Sequence, residues 1–170
     1  MLTRPVEPTD AAEWLRMRLA LWPDQSGPEE SGPDSSAEDE RGEVEWFLAG
    51  YPSPTLMAVF VCERPEGGLC GLIEVSIRES APGCHTDRIG YLEGWYVDPD
   101  RRGRGVGRAL AERAEAWARA AGCREMASDT NPAYPVSPAA HEALGYEEVE
   151  RYFRKDLPAG ADDDATLTLT

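Results

Sequence analysis

The stretch that most constrains the fold is an unbroken succession of a strand, a glycine-rich turn and a helix, Gly90 to Ala121. It begins with aromatic and β-branched residues, which favour a strand, and Asp98-Pro99 ends that strand because proline has no N–H to give to a sheet. Three glycines at alternating positions follow: Gly103, Gly105 and Gly107. Glycines let an anion approach the free amides of a helix N-terminus closely. The stretch therefore predicts a phosphate-binding turn.

The spacing of this turn separates it from other phosphate-binding loops. A P-loop ends in Gly-Lys-Ser/Thr, and a dinucleotide-binding turn has its last glycine three residues after the second. Here Val97-Asp98-Pro99 is followed by Arg102-x-x-Gly105-x-Gly107, and a helix without a breaker runs to Ala121. An ordinary strand-to-helix turn that carries surface arginines is the simpler alternative.

Length and composition indicate one domain over residues 1–157, followed by a polar acidic tail, 158–170, that we expect to be disordered. There is no run of eighteen apolar residues and no apolar segment of a signal peptide near Met1, so we expect neither a membrane span nor secretion. The four cysteines form no CxxC pair and there are only two histidines. This pattern argues against a metal site or a disulfide framework and favours the reducing cytoplasm.

The formal net charge of −15 argues against a nucleic-acid partner, whose phosphates the chain would repel. It is compatible with a polycationic small molecule, which an acidic cleft attracts and concentrates. Solubility alone is the simpler explanation of the charge.

The predicted elements follow the order β-α-α-β-β-β-α-β-α-β, which implies an α/β fold with a mixed sheet and helices on both faces. Thr9 or Asp10 is the predicted N-cap of the first helix. Residues 24–42 are predicted to form a mobile acidic loop. The predicted strands are Leu2–Val6, Thr55–Glu63, Leu69–Arg78, Ile89–Val97, Cys123–Asp129 and Tyr146–Asp156. The predicted helices are Ala11–Leu21, Glu38–Ala49, Arg108–Ala121 and Ser137–Leu144, the last capped by Ser137 with Pro138 at N1.

The glycine-rich turn and its flanking elements resemble the acetyl-coenzyme A signature of the GNAT superfamily of N-acetyltransferases. Further segments are similar to the aminoglycoside 6′-N-acetyltransferases, which confer antibiotic resistance. They are Leu72–Arg78, Leu92-Glu93-Gly94, Cys123–Thr130 and His141–Glu148. The resemblance runs from Leu2 to Leu157 and fades in the loop 24–42 and in the tail.

The resemblance implies acetyl-coenzyme A as co-substrate and no metal. The backbone of Trp95, Tyr96 and Val97 is expected to pair with the pantetheine arm, and Tyr134 is a weaker candidate for a coenzyme contact. The diphosphate is expected on the turn and the start of the helix: Arg102, Gly103, Arg104, Gly105, Val106, Gly107 and Arg108.

Two acids are the candidates for the chemistry of the amine. A protonated amine must lose a proton before it attacks a thioester, and ammonium groups are bound by carboxylates. Glu93 lies on the central strand just before the pantetheine segment, and Asp129 ends the neighbouring strand, where ligands collect in open α/β sheets. By resemblance, Trp22 stacks on the sugar and Glu150 contacts another ammonium group. The alternatives are structural pairing with arginine for the two acids, a core position for Trp22 and a solvated charge for Glu150.

One position departs from the superfamily pattern. Many GNAT enzymes have a tyrosine that faces the coenzyme A sulfur as general acid, and this chain has His141 there. Histidine could hydrogen-bond or protonate the leaving thiolate, or it could only cap and pack. The sequence leaves these alternatives open.

The predicted activity is acetyl transfer to the 6′-amine of an aminoglycoside, by direct attack in a ternary complex of a homodimeric enzyme. Two alternatives stay open: acetylation of another amine, such as a polyamine or a protein N-terminus, and a non-catalytic module that binds acyl-coenzyme A.

Overall fold

A mixed sheet organises the part of the chain that the computed structural model describes, residues 2–21, 37–131 and 134–155. Its five strands are β1 (Thr3–Pro5), β2 (Met57–Glu63), β3 (Leu69–Arg78), β4 (Ile89–Val97) and β5 (Glu125–Ser128). They lie in the order β1-β2-β3-β4-β5, and all neighbours are antiparallel except β4 and β5, which are parallel. The predicted mixed sheet is confirmed.

Helices cover both faces of the sheet, as predicted. They are α1 (Ala11–Leu21), α2 (Ala37–Leu48), α3 (Val106–Ala120) and the short α4 (Ser137–Glu142), with 3₁₀ turns at Pro8–Asp10 and Pro99–Arg101. Neighbouring residues of β3 serve opposite faces, since Leu72 packs with α1 and α2 while Ile73 packs with α3. This alternation is the period of two that a strand imposes on its side chains.

The helix α3 buries one stripe of its surface against the sheet. The buried positions follow helical spacing: Val106, Leu110, Ala111, Ala114 and Ala118. Leu110 has no exposed surface, and burying a leucine fully stabilises a fold by about 1.5–3 kcal/mol. The start of α3 is therefore held firmly against β3 and β4.

The opposite face of the sheet contains a buried polar network. Glu74 of β3 is 1% exposed; it accepts hydrogen bonds from Trp14 Nε1 and Arg18 Nη1, each at 2.7 Å. The guanidinium of Arg18 also donates through Nε to Glu40 Oε2 at 2.5 Å. Burial raises the pKa of Glu74, while Arg18 and Trp14 oppose that rise. The network joins α1, α2 and β3 through directed contacts inside an otherwise apolar layer.

The N-caps of two helices differ from the predictions, and α3 begins at Val106, two residues before the predicted Arg108. The first helix is preceded by a 3₁₀ turn, and Asp10 accepts a hydrogen bond from the Glu7 N–H at 2.8 Å instead of capping α1. The carboxylate of Asp10 is also bound by Arg4 at 2.6 Å, and this ion pair holds it on the side of β1. The last helix has Val136 as its N-cap, and Ser137 is its first residue.

Part of the predicted acidic loop is helical. Residues 37–42 begin α2, whose first turn contains Glu38, Asp39 and Glu40. Acidic side chains in a first turn stabilise a helix through its dipole. Residues 24–36 and the tail 158–170 lie outside the described residues.

The prediction of a last strand over Tyr146–Asp156 is wrong for residues 146–155, which form no strand. Tyr146 packs against the core on the α3 side of the sheet, but the apolar side chains that follow it are exposed. Val149 is 62% exposed, Tyr152 78% and Phe153 90%. Among the described residues, no helix combines the length and the apolar character needed to cross a membrane.

Candidate active site

The strands β4 and β5 separate at the centre of the molecule. Their last register pair is Leu92 with Ser128, and no described strand pairs with Glu93–Val97 on the side of β5. Continuation of the same register would set Asp129 opposite Glu93. The two acids that the sequence singled out therefore occupy the first position at which these parallel strands have parted.

A β-bulge accounts for the placement of Glu93. On β3, Glu74 pairs with Gly94 and the next residue, Val75, pairs with Leu92, so that Glu93 is an extra residue on β4. A bulge twists its strand and redirects a side chain. It turns the Glu93 carboxylate toward the β3 face that bears Ser76 and Arg78.

The Glu93 carboxylate is engaged by two residues of β3. The Ser76 hydroxyl donates to Oε1, which also accepts from Arg78 Nε at 3.0 Å. Oε2 accepts from Arg78 Nη2 at 2.5 Å. The contact with arginine that the sequence left as the alternative role of Glu93 is thus present. The glutamate and arginine side chains keep 25% and 43% exposure, so the pair lies at the surface of the cleft.

Asp129 is joined to the same cluster through Tyr91. The Tyr91 hydroxyl donates to Asp129 Oδ1 at 2.6 Å, and the Arg78 guanidinium carbon lies 3.5 Å from the centre of the Tyr91 ring. Burial, and then the Asp129 carboxylate, raise the pKa of Tyr91 to about 12, so its hydroxyl remains a donor at neutral pH. We call Ser76, Arg78, Tyr91, Glu93 and Asp129 the acid cluster.

The glycine-rich turn forms a concave backbone surface at the end of β4. Gly103 and Gly105 have φ angles of +68° and +83°, values that side chains other than glycine adopt with strain, and Gly105 is the N-cap of α3. The first-turn amides of α3 have no partner within the helix, and the dipole adds positive charge there. Arg104 is exposed beside this turn, and Arg102 Nε donates to Val97 O at 2.9 Å.

The third glycine of the turn serves packing. A Cβ at Gly107 would lie 2.8 Å from Trp95 Cζ2, so only glycine lets α3 approach this indole. The contact sets the start of α3 directly beside the free edge of β4. Arg108 extends from the next position and donates through Nη2 to Ala143 O at 2.9 Å.

Asp98 anchors the turn to the body of the protein. Its carboxylate accepts from Arg16 Nη1 at 2.8 Å and from Arg64 Nη2 at 2.6 Å, and its N–H donates to Cys70 O. Burial raises the pKa of Asp98, but the two arginines outweigh it and hold that pKa below the ordinary value. A surface hollow of about 440 Å³ beside these residues is lined by the charged side chains of Glu13, Arg16, Arg64, Asp98 and Asp100, which form ion pairs with one another.

His141 lies on the α3 side of the sheet, where β4 and β5 part. Its Nδ1 is 2.9 Å from Ser137 O and its Nε2 is 3.0 Å from Ser128 Oγ. A carbonyl only accepts, so Nδ1 carries a hydrogen, and in the neutral ring Nε2 accepts the Ser128 hydroxyl hydrogen. The rings of Trp95 and Tyr146 meet the imidazole edge-on, with centroids 5.6 and 5.5 Å away. The tautomer and orientation of His141 are therefore fixed.

Two polar atoms beside His141 are buried without a hydrogen-bond partner among the described residues, Trp95 Nε1 and Tyr146 Oη. Burial raises the pKa of Tyr146. Buried donors that have no partner in a chain are uncommon, and they mark a place where a bound group can accept a hydrogen bond. Together with the free edge of β4 and the open glycine turn, they fit a long ligand that has an amide-containing arm and a diphosphate.

Comparison with known proteins agrees with this geometry. The profile of the acetyltransferase (GNAT) family matches residues 14–146. This chain belongs to the GNAT acetyltransferase family. The acetyltransferase is 43% identical over 158 residues to the aminoglycoside N(6′)-acetyltransferase type 1 of Klebsiella aerogenes, with 92% of this chain and 97% of the relative covered. The same enzyme of Stenotrophomonas maltophilia is 41% identical over 161 residues, with coverage of 93% and 95%.

A solved structure with a ligand shows the same fold. The enzyme AAC(6′)-Iy, in complex with the bisubstrate analogue CoA-S-monomethyl-acetylneamine, has a TM-score of 0.73 and 33% identity to this acetyltransferase. The match covers 92% of this chain and 98% of that one. The resemblance to aminoglycoside 6′-N-acetyltransferases that the motifs indicated is thereby confirmed.

Three predicted site residues of the acetyltransferase lie apart from the acid cluster or outside the described residues. Trp22 is not described. The Tyr134 hydroxyl donates to Leu21 O and so ties the turn before α4 to the end of α1. Glu150 is exposed and accepts from the Tyr152 hydroxyl at 2.9 Å. Their roles toward ligands stay predictions.

Four residues around the site were not predicted: Ser76, Arg78, Tyr91 and Ser128. Ser76 and Arg78 follow Glu74 at a spacing of two, so strand alternation places all three on one face of β3. That signal was available in the sequence. The pairing of Ser128 with His141 was not, because it depends on how α4 packs against β5.

Proposed function

We propose that this protein transfers the acetyl group of acetyl-coenzyme A to the 6′-amine of aminoglycoside antibiotics and so confers resistance to them. The observation that carries the proposal is the position of Glu93 and Asp129, the first residues past the point where β4 and β5 part. The names of the relatives, which are aminoglycoside N(6′)-acetyltransferases, support the same reaction.

The coenzyme is proposed to lie along the free edge of β4. The backbone of Trp95–Val97 can pair with the amides of the pantetheine arm as an added strand would. The diphosphate is proposed to bind the turn through the first amides of α3 and the side chains of Arg102, Arg104 and Arg108, because a helix N-terminus favours anions. The reaction requires no metal, since a thioester is already an activated acyl donor.

The acids Glu93 and Asp129 are proposed to hold the 6′-ammonium group and to accept its proton, directly or through water. The amine then attacks the acetyl carbonyl in a ternary complex. Trp22 and Glu150 are proposed to contact other parts of the sugar.

His141 is proposed to handle the proton of the leaving thiol. Protonated on both nitrogens, His141 can give the Nε2 proton to Ser128 Oγ while the Ser128 hydroxyl gives its own hydrogen to the thiolate, which leaves a thiol and a neutral imidazole. The carbonyl of Ser137, which accepts from Nδ1, stabilises the ring when it becomes positively charged. His141 thus takes the place of the superfamily tyrosine, with Ser128 between it and the sulfur.

The test is release of free thiol from acetyl-coenzyme A across a panel of amines. Turnover with kanamycin, and none with analogues that carry a 6′-hydroxyl in place of the amine, is the expected result. Turnover with peptides or polyamines alone would show that the substrate is another amine and not an aminoglycoside. Binding of acetyl-coenzyme A without turnover on any amine would show that the protein is a coenzyme-binding module and not an enzyme.

A homodimer in the cytoplasm is proposed as the working form. Support comes from the outer edge of β5, which has no neighbour among the described strands, and from the exposed Val149, Tyr152 and Phe153 beyond α4. The free thiols of Cys62, Cys70, Cys84 and Cys123 fit a reducing compartment. Sedimentation equilibrium should give twice the mass of the chain, and Phe153→Asp should shift it toward the monomer; a monomeric wild type would refute the dimer.

A further inference from the structure

The carboxylate of Asp129 depends on one neighbour for its place in the cleft. Asp129 directly follows the last residue of β5, beyond the last register pair with β4, and it is exposed. Among the described residues, the one side chain that hydrogen-bonds its carboxylate is that of Tyr91, whose hydroxyl donates to Oδ1 at 2.6 Å. The orientation of this acid therefore follows from the orientation of Tyr91.

Tyr91 is itself held from several sides. It lies inside β4, paired with Ser76 of β3 and with Ala127 of β5, and it is 6% exposed. The Arg78 guanidinium carbon lies 3.5 Å from the centre of its ring, and the same guanidinium binds both oxygens of Glu93. The phenol ring thus has a fixed place relative to the other acid of the site.

The register of β4 and β5 explains why the hydroxyl reaches Asp129. Tyr91 pairs with Ala127, which precedes Asp129 by two residues, so alternation directs both of these side chains toward one face. Two residues of a parallel strand span about 6.6 Å, which is the distance that a tyrosine side chain bridges between its Cα and its hydroxyl oxygen. The small side chain of Ala127 leaves the ring room to cross.

The hydrogen bond also determines which oxygen of Asp129 is open. Burial, and then the Asp129 carboxylate, raise the pKa of Tyr91 to about 12, so the phenol keeps its proton and occupies Oδ1. Among the described residues, no hydrogen bond reaches Oδ2, and this oxygen is left to accept from an amine.

We propose that Tyr91 is the positioning residue of the acid pair, which holds the Asp129 carboxylate beside Glu93 so that both acids bind the same ammonium group. The inference rests on the proposed function, in which the two acids hold one 6′-ammonium group together. Tyr91 acts through Asp129 and does not touch the substrate. Without its hydroxyl, the Asp129 side chain can rotate away from the amine, and a misplaced reacting group lowers the rate.

The test is Tyr91→Phe, which keeps the ring beneath Arg78 and removes only the hydroxyl. We expect kcat with kanamycin to fall about tenfold, the factor that corresponds to one hydrogen bond to a charged group. The KM for acetyl-coenzyme A should stay within twofold, because the proposed coenzyme contacts lie on the glycine turn and the β4 edge. A rise in KM for both substrates would show that the ring only packs, and would overturn the positioning role.

A double variant shows whether Tyr91 acts through Asp129. In an Asp129→Ala background the hydroxyl has no carboxylate to hold, so adding Tyr91→Phe should lower kcat less than twofold further. A second tenfold loss would mean that Tyr91 acts independently of Asp129, and would overturn the inference. Tyr51→Phe is the matched control, since it removes the hydroxyl of an exposed tyrosine that stacks on Trp46, and it should leave kcat unchanged.

A crystal structure of Tyr91→Phe gives a readout that needs no turnover. Compared with a crystal structure of the wild type, the Asp129 carboxylate should have moved away from Glu93, and an unmoved carboxylate would overturn the inference. Failure of the wild type to acetylate any aminoglycoside would refute the proposed function instead. The two crystal structures would still decide in that case whether Tyr91 positions Asp129.

Discussion

Glu93 and Asp129 are the two residues that directly follow the last register pair of β4 and β5, Leu92 with Ser128. Neither strand places its acid there by ordinary pairing. Glu93 is the extra residue of a bulge, and Asp129 follows the end of β5. The two carboxylates therefore lie at the point where β4 and β5 separate.

Removal of both charges tests this feature. We expect Glu93→Gln combined with Asp129→Asn to lower kcat/KM for kanamycin by about 100-fold or more, because both the ammonium contacts and the proton acceptor are lost. Coenzyme A affinity, measured by calorimetry, should stay within about twofold, since the coenzyme contacts lie on the turn and the β4 edge. Weaker coenzyme binding with unchanged turnover would contradict the assignment.

The contact between His141 and Ser128 makes a second prediction. His141→Ala and Ser128→Ala should each lower kcat by about 100-fold, and the double variant should be little worse than either, because groups that act as a unit are not additive. Ser53→Ala, which breaks exposed contacts with Thr55, serves as the control. Additive losses, or a normal kcat with a flat pH–rate profile in His141→Ala, would assign both residues to packing.

The glycine turn can be tested with a variant that carries the same backbone strain elsewhere. Gly105→Val should raise the coenzyme A dissociation constant tenfold or more, because a side chain at φ +83° both strains the turn and pushes a diphosphate away. Gly67→Val, at φ +98° in the β2–β3 hairpin with open space around it, should lower stability without this effect. Equal coenzyme affinity in the two variants would exclude the turn as the diphosphate site.

The buried network predicts a large loss of stability from a single substitution. Arg18→Met leaves Glu74 charged and 1% exposed with its cation removed, and breaking a buried ion pair in this way costs about 3–5 kcal/mol. Urea denaturation should show that loss, and Arg18→Met with Glu74→Gln should recover part of it. Arg119→Gln, on the surface, should change stability by less than about 1 kcal/mol. A small loss in Arg18→Met would mean that Glu74 is neutral in the folded protein.

Acid should weaken the anchor of the turn. The pKa of Asp98 is lower in the folded protein than its ordinary value of about 4, so near that pH the unfolded chain binds more protons. The stabilisation is fully present above about pH 4 and is lost as the pH falls through the lower folded pKa. Urea unfolding between pH 6 and pH 3 should show a smaller pH dependence in Asp98→Asn than in the wild type. An unchanged slope would contradict this.

Much of the fold was readable from local chemistry. The bounds of β3, β4 and α1 agree with the predictions because each depends on a local signal. Alternation of side chains marks β3, Asp98-Pro99 ends β4, and the apolar periodic stretch of α1 ends at Leu21. The strand predicted over 146–156 is wrong for the described residues 146–155, which leave the outer edge of β5 unpaired, because strand-like composition does not by itself bring a segment to a sheet edge.

The sequence by itself determined the family, the glycine turn and the two candidate acids, since each depends on residue type and short spacing along the chain. Only the tertiary structure decided what surrounds them. A bulge opposite Glu74 and Val75 turns Glu93 toward Arg78, and the packing of α4 brings His141 to Ser128. Register slips and helix packing depend on residues far apart in the chain, and their energies are set by contacts that no short stretch contains.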